Sequence, residues 1–359
     1  MNNFTRLTIV LVIGLAGIGS VLAFVSYQKF LRTDVSNLYA IQRKYNQSND
    51  RIVKTNAFLE DQITIFESSR IQTFSEKNGK LLVGVGQKNE KTDLYLVDVI
   101  SKKSTKIDIP EGLVTQIQGG GGLFIFTLEK IVEGYPDFKG ILNILDTNTL
   151  QITNPNPQGF AQKVTNLHVS NDGQLLLFSG FGSYHYVMDL NNIENITKIK
   201  TKMNYSTGFD STSTKILAAQ FDKKDFKLVD VVTGEEESQS LPTDRFKDVT
   251  LSNTSKDVYF TVKNAPDSDM TSQLYKLQKL GFGDILKSDI SSLELPKLDS
   301  TDRFIAVEKY SKSEINDTSD FRIAGLRARP ASSTIIIFDT RTKKLIDNNF
   351  KAIDLVWES

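Results

Sequence analysis

The chain contains no cysteine, only two histidines and a single tryptophan among 359 residues, and each scarcity removes a class of chemistry. Without cysteine there is no disulfide, no thiolate nucleophile, no cysteine metal site and no lipid-modified N-terminal cysteine. The histidines, His168 and His185, form no His-x-x-x-His pair, and no EF-hand loop occurs, so no metal site is written as a motif. Charge of one sign is lacking as well. Lys and Arg total 43 and Asp and Glu total 43, so no global field argues for nucleic acid or an anionic lipid surface as the main partner. No G-x-S-x-G elbow is present, Ser179-Gly-Phe-Gly-Ser183 being a superficial likeness. Gly119–Gly122 lacks the Lys-Ser/Thr of a phosphate loop and reads as a flexible strand turn. The sequence therefore assigns no catalytic residue, no cofactor and no metal ligand.

What is there begins with one uncharged apolar run, Leu7–Tyr27. About 20 helical residues cross a bilayer core, and a helix is the form that satisfies its own backbone there. Tyr27, Lys29 and Arg32 make an interfacial border behind it. A cleaved secretory signal would use Arg6 as its basic flank and Val21-Leu22-Ala23 as its small-residue site, but the run continues through Phe24 and Val25. Its length favours an uncleaved anchor, residues 1–27, with the lipid bilayer as partner through residues 7–27. Lys29, Arg32, Arg43 and Lys44 outweigh Arg6, which by a strict positive-inside count keeps the rest in the cytoplasm. Long domains translocate regardless of such charges, so the expectation is a single pass in the cytoplasmic membrane with the bulk of the chain extracytoplasmic. Ala16-x-x-x-Ser20 and Gly19-x-x-x-Ala23 offer a close helix–helix face for self-association.

Residues 28–69 carry few glycines and no proline, and Leu31, Leu38, Tyr45, Ile52, Leu59 and Phe66 recur every seven positions. That column predicts a helical stalk or linker, weakened as a coiled coil by Gln42, Asn49 and Asn56 in the companion column.

From Arg70 the period shortens to strand type. One unit recurs: Phe74-Ser-Glu-Lys-Asn-Gly-Lys-Leu-Leu-Val-Gly-Val with Asp93-Leu-Tyr-Leu-Val-Asp-Val, and Val169-Ser-Asn-Asp-Gly-Gln-Leu-Leu-Leu-Phe-Ser with Tyr184-His-Tyr-Val-Met-Asp-Leu. Weaker copies begin near Val114, Asn204, Lys247 and Ser291. Asp98, Asp146, Asp189, Asp230 and Asp339 mark the unit at steps of 48, 43 and 41 residues, then 109 across two units where Gln278 holds the marker place. Each marker aspartate is expected to close the turn after its strand through a side-chain-to-backbone bond. These units resemble the repeats of WD-repeat-like and Tol-type β-propellers, over roughly Arg70 to Ser359. The resemblance implies an all-β domain over residues 70–359, and a period of about 40–50 residues fits four-stranded blades. Six blades are expected, or seven if Ile52–Phe66 is strand, in which case the stalk falls. Ala352–Trp357 has the pattern of a first strand with nothing after it, predicting ring closure with the N-terminal part.

In such an order the first-to-second and third-to-fourth turns share one face. The second-to-third connections share the other, expected as long loops at Glu129–Gly140, Lys263–Ser272 and Ser311–Ser333. The last carries the candidate partner-binding residues Tyr310, Phe321, Arg322, Arg327 and Arg329, an arginine set suited to a carboxylate-rich partner or a phosphate group. A fold says little about activity. The expected role is a membrane-anchored interaction or scaffold module of the cell envelope, with an unidentified protein partner. The alternative is a propeller hydrolase or lactonase with a central-channel carboxylate or Ca²⁺-dependent site.

Overall fold

The computed structural model describes residues 36–43, 49–87, 91–132, 135–155, 164–179, 184–201, 205–219, 224–242, 246–263, 275–281, 283–284, 296–309 and 333–358. The chain divides into two units, Met1–Ser36 and Asn37–Ser359, and the second contains almost all of these. The expected anchor lies outside the described residues. Among the described ones there are only strands, turns and irregular segments, and no helix is long and apolar enough to cross a membrane.

The chain enters the second unit through β1 (Asn37–Gln42), β2 (Asp50–Asn56) and β3 (Ile63–Ser68). Five antiparallel meanders follow. They are β4 (Ile71–Lys77), β5 (Lys80–Gly86), β6 (Thr92–Asp98) and β7 (Ser104–Ile107); then β8 (Leu113–Gly120), β9 (Leu123–Val132), β10 (Tyr135–Asp146) and β11 (Ile152–Thr153). Next come β12 (Thr165–Val169), β13 (Leu175–Ser179), β14 (Tyr184–Asp189) and β15 (Asn192–Lys200); then β16 (Tyr205–Phe209), β17 (Lys215–Ala219), β18 (Asp225–Asp230) and β19 (Glu236–Ser240). The fifth is β20 (Phe246–Leu251), β21 (Val258–Lys263), β22 (Tyr275–Lys279) and β23 (Gly283–Asp284). Last are β24 (Lys297–Leu298), β25 (Phe304–Lys309), β26 (Ser333–Asp339), β27 (Lys344–Ile346) and β28 (Lys351–Trp357).

The last strands and the first share one eight-stranded sheet, ordered β24-β25-β26-β28-β1-β2-β3, with β27 also on β26. β28 lies antiparallel on β1, with Leu38 opposite Trp357 and Ala40 opposite Leu355, so the expected closure between chain ends is observed. The helical stalk is corrected wherever residues 37–68 are described. Ile52 faces Ile41 on one side and Phe66 on the other, so the seven-residue column reflects strand spacing. The alternation in Asp50-Arg-Ile-Val-Lys-Thr-Asn buries Ile52, Val53 and Thr55, and four-stranded packing outweighs the helix signal.

The second strand of each meander is apolar without alternation because both of its faces are covered. Leu81 and Val83 join the layer shared with β1, β2 and β3, whereas Leu82 joins the layer shared with β8 and β9. Leu176 and Phe178 pack toward β9 and β10, and Leu177 toward β16 and β17. Ile216 and Ala218 face the preceding meander while Leu217 and Ala219 face the next. The core is thus a series of layers between neighbouring sheets. At roughly 25 cal/mol per Å² of apolar surface, each fully buried Leu or Phe contributes about 2–3 kcal/mol to joining two sheets.

The marker aspartates do what their position implies. Asp98 accepts from Ser101 N at 2.7 Å, Asp146 from Asn148 N at 2.7 Å, and Asp189 from Asn191 N at 2.8 Å. Asp230 accepts from Thr233 N at 2.8 Å and Asp339 from Arg341 N at 2.9 Å. Asn56 plays the same part after β2, accepting from Phe58 N at 2.9 Å, in a unit the repeat pattern did not reveal. Asn148 and Thr149 N–H groups hold the Asp146 carboxyl below the usual range, and Thr233 and Val232 do so for Asp230.

Gly119–Gly122 is a tight hairpin end. Gly121 and Gly122 both have positive φ, 57° and 83°, the requirement of a two-residue primed turn. A Cβ on Gly121 would stand 2.7 Å from the Gly173 carbonyl oxygen of the neighbouring hairpin, so the glycines permit turn-to-turn packing. One expected loop is corrected: Glu129–Gly140 is mostly strand, with Val132 opposite Tyr135 and an irregularity between Pro136 and Gly140.

Candidate binding face

Neighbouring meanders meet through their first strands, and the short turns after those strands lie side by side. Gly121 abuts Gly173, and Asn253 Nδ2 donates to Asp299 O at 2.9 Å. Lys80 Nζ, at the start of β5, reaches Thr147 O at 3.2 Å, in the third-to-fourth turn of the next meander. First-to-second and third-to-fourth turns therefore share one face. The second-to-third connections and the links between meanders leave from the opposite one.

Near that opposite face, six first strands share an irregularity. Register slips between Ile71 and Thr73, Val114 and Gln116, Thr165 and His168, Ser206 and Gly208, and Phe246 and Asp248. On β28 the slip leaves Asp354 unpaired, at φ 50°. A bulge of this kind frees a backbone N–H and re-aims side chains. At two of them a side chain from the preceding sheet accepts from an N–H at the slip, and at the third a side chain from β25 of the same eight-stranded sheet does. Thr92 Oγ1 accepts from Val114 N at 3.1 Å, Gln116 Oε1 from Leu167 N at 3.1 Å, and Glu308 Oε1 from Asp354 N at 3.1 Å. Thr92 Oγ1 in turn donates to Gln72 Oε1 at 2.7 Å, and Thr115 and Thr127 hydroxyls meet at 2.7 Å. Gln72 Nε2 is buried without a hydrogen-bond partner among the described residues.

Glu308 is buried at the end of β25, where Ser333 Oγ donates to its Oε2 at 3.3 Å. It marks the foot of the connection between β25 and β26. Tyr310, Phe321, Arg322, Arg327 and Arg329, all in that connection, lie outside the described residues. The structure thus brings Glu308, Ser333 and Asp354 together at its base and leaves the five named residues without a described position. His185 is fully buried, its Nδ1 3.1 Å from Ser179 Oγ across the β13–β14 pair, whereas His168 is half-buried on β12. Among the described residues no three His, Asp or Glu side chains converge as a metal site would require. Sequence reasoning missed Thr92, Gln116 and Glu308, because a bulge leaves no trace in composition and its capping partner sits in a different repeat.

No family model matches the chain, and no curated protein matches it by sequence. Solved structures do match by fold. A candidate 6-phosphogluconolactonase from Bacteroides fragilis aligns at 10% identity and TM-score 0.56, covering 91% of this chain and 99% of that one. A protein from Lactobacillus plantarum gives 11% identity and TM-score 0.56 over 90% and 99%. TolB from Acinetobacter baumannii gives 14% identity and TM-score 0.45 over 69% of this chain and 65% of that one, less than two thirds of its length. The successive four-stranded meanders, the pairing of β28 with β1 and the first two of these likenesses define a propeller-type, all-β fold.

Proposed function

We propose that this chain is a membrane-anchored β-propeller acting outside the cytoplasmic membrane as a protein-interaction module of the cell envelope. The observation that carries this reading is how the polar groups of the bulged first strands are used. Thr92 and Gln116 each accept from the first strand of the next sheet and Glu308 ties β25 to β28, which builds a rigid frame for the connections between strands. We count the ring as seven blades, with the eight-stranded sheet split into β24–β27 and β28 with β1–β3. The working surface is then the face of the second-to-third connections, where Arg322, Arg327 and Arg329, beside Tyr310 and Phe321, suit a carboxylate-rich protein segment.

The test is affinity capture from native membranes with the full chain and with residues 314–329 deleted. Loss of a specific partner on deletion, reproduced by R322A/R327A/R329A, supports the reading, and an unchanged partner set overturns it. The alternative, a lactone hydrolase, has the fold likeness to candidate 6-phosphogluconolactonases behind it, and at 10% identity that likeness speaks for fold alone. Enzymatic turnover of a lactone by the purified chain would replace the scaffold reading.

A further inference from the structure

We propose that the short-turn face of the propeller docks on an anionic lipid surface through an arc of turns beside the point where the chain enters. This rests on the anchored reading above and adds to it which face meets the bilayer. β28 ends and β1 begins on the short-turn face, where Glu358 N donates to Asn37 O at 2.8 Å and Leu38 pairs with Trp357. The entry point is therefore fixed in the sheet. About ten residues separate Tyr27 from Asn37, a length that spans at most about 36 Å even when fully extended. On the anchored reading the tether is short and starts from this face, while the long connections leave from the other.

The chemistry of the turns flanking Asn37 fits such a surface. The eight-stranded sheet that holds β1 has β4–β7 on one side and carries β26 and β27 on the other. The β6–β7 turn presents Ile100, 91% exposed, followed by exposed Lys102 and Lys103. The β26–β27 turn presents exposed Arg341, Lys343 and Lys344, followed by Leu345 at 42%. Among the described residues none of these five cations forms an ion pair, whereas Arg303 and the marker Asp339 in the same region are buried against each other at 3.5 Å. Four carboxylates oppose these five cations, exposed Glu60 and Asp61 in the β2–β3 turn, exposed Asp347 past β27 and half-exposed Asp98 in the β6–β7 turn, so the arc keeps a small positive surplus.

The distant part of the same face is of opposite character. Val232, 85% exposed, occupies in the β18–β19 turn the place Ile100 has in its own, two residues past the marker aspartate. It is followed by exposed Glu235, Glu236 and Glu237. Glu236 pairs with Lys227 and Glu237 with Lys215, so that side carries no surplus of positive charge. An apolar tip beside exposed lysines enters an anionic headgroup layer, and one beside Glu235 and two paired glutamates gains no such attraction. The arc at Ile100 and Lys344 is thus the contact, and the Val232 side is tilted away.

The absence of cysteine makes the test direct, since single thiols can be placed in the full chain. Ser101→Cys and Thr342→Cys on the arc, Val232→Cys across the face and Asp108→Cys on the opposite face would each carry a fluorophore. Each protein is reconstituted in phosphatidylcholine vesicles with one quarter phosphatidylglycerol and a headgroup quencher. The expected result is quenching at positions 101 and 342, little at 232 and none at 108. In K102Q/K103Q/K343Q/K344Q the ratio of docked to undocked molecules should fall about fivefold for each cation removed. Equal quenching at 101 and 108 in protein that resists alkaline extraction would overturn the docking and leave the anchor standing. Release of the chain by alkali would overturn both.

Discussion

Trp357 is the residue on which closure of the ring most depends, and its replacement is the sharpest test of that closure. Its side chain is 8% exposed, its ring lies 6.2 Å from Phe304 in a stacked arrangement, and its Nε1 donates to Lys297 O at 2.8 Å. Phe304 in turn meets Phe58 edge-on at 6.0 Å, so one indole joins β28, β25 and the turn after β2. Trp357→Ala leaves a cavity among these rings, at about 3–5 kcal/mol, and leaves the Lys297 carbonyl without its donor, at about 1 kcal/mol. Domains of this kind have about 5–15 kcal/mol in total, so the variant should lose a large share of its stability. With a urea slope of about 3 kcal/mol/M, the midpoint should fall by more than 1 M by far-ultraviolet circular dichroism. Trp357 is also the only indole in the chain, so fluorescence in the parent protein reports on the seam alone and should be blue-shifted until the global transition. A midpoint shift below about 0.3 M, roughly a fifth of the expected loss at that slope, or an indole that is solvent-exposed in native buffer, would refute the reasoning.

The remaining expectations concern charge and backbone. Burial opposes ionisation of Glu358, but hydrogen bonds from Lys54 Nζ, Asn37 Nδ2 and Tyr39 OH prevail and hold its carboxyl below the usual range. Its folded pKa is depressed, so its contribution is present above about pH 4 and lost as pH falls below that; Glu358→Gln should flatten the acid limb of a stability-against-pH curve and leave a smaller loss, about 1 kcal/mol, at pH 7. Tyr39 has the opposite sign: burial and then Glu358 raise its phenol, so its contribution is present below about pH 10 and lost above it, and Tyr39→Phe should remove that alkaline loss in urea titrations. Gly121→Ala forces a Cβ to 2.7 Å from Gly173 O at positive φ and should cost about 1–3 kcal/mol, read as a fall in Tm of several degrees, whereas Gly234→Ala, with open space around it, should cost less. Glu308→Ala should expose the Asp354 N–H to rapid hydrogen exchange without altering protection of β4–β19, and a uniform change across the sheets would contradict its role as a local cap.

Much of the fold was legible in the sequence because its sheets are sandwiched. Runs such as Leu-Leu-Leu-Phe at 175–178 and Ile-Ile-Ile-Phe at 335–338 have no polar face, and the aspartates that close the following turns set the repeat length. The first unit was misread. In β1, β2 and the turn after it the apolar residues Leu38, Ile52 and Leu59 happen to fall at multiples of a helical heptad, and no aspartate marks the turn, since Asn56 does that work. The loop expected at 129–140 failed for a related reason: β9 and β10 extend well beyond the unit length of their neighbours. The caps at the bulges were illegible in principle. Glu308 and Asp354 lie 46 positions apart, and only the return of β28 to the eight-stranded sheet brings them together.

Hydrogen exchange of the intact chain, followed by mass spectrometry, tests the closed ring most directly. The account predicts that peptides covering Leu38–Ile41 and Ile353–Trp357 exchange together, with protection comparable to that of Leu81–Val85 and Leu176–Phe178. Complete exchange of the first two within seconds, while the other two remain protected, would mean that β28 does not seal β1 and that the ring is open.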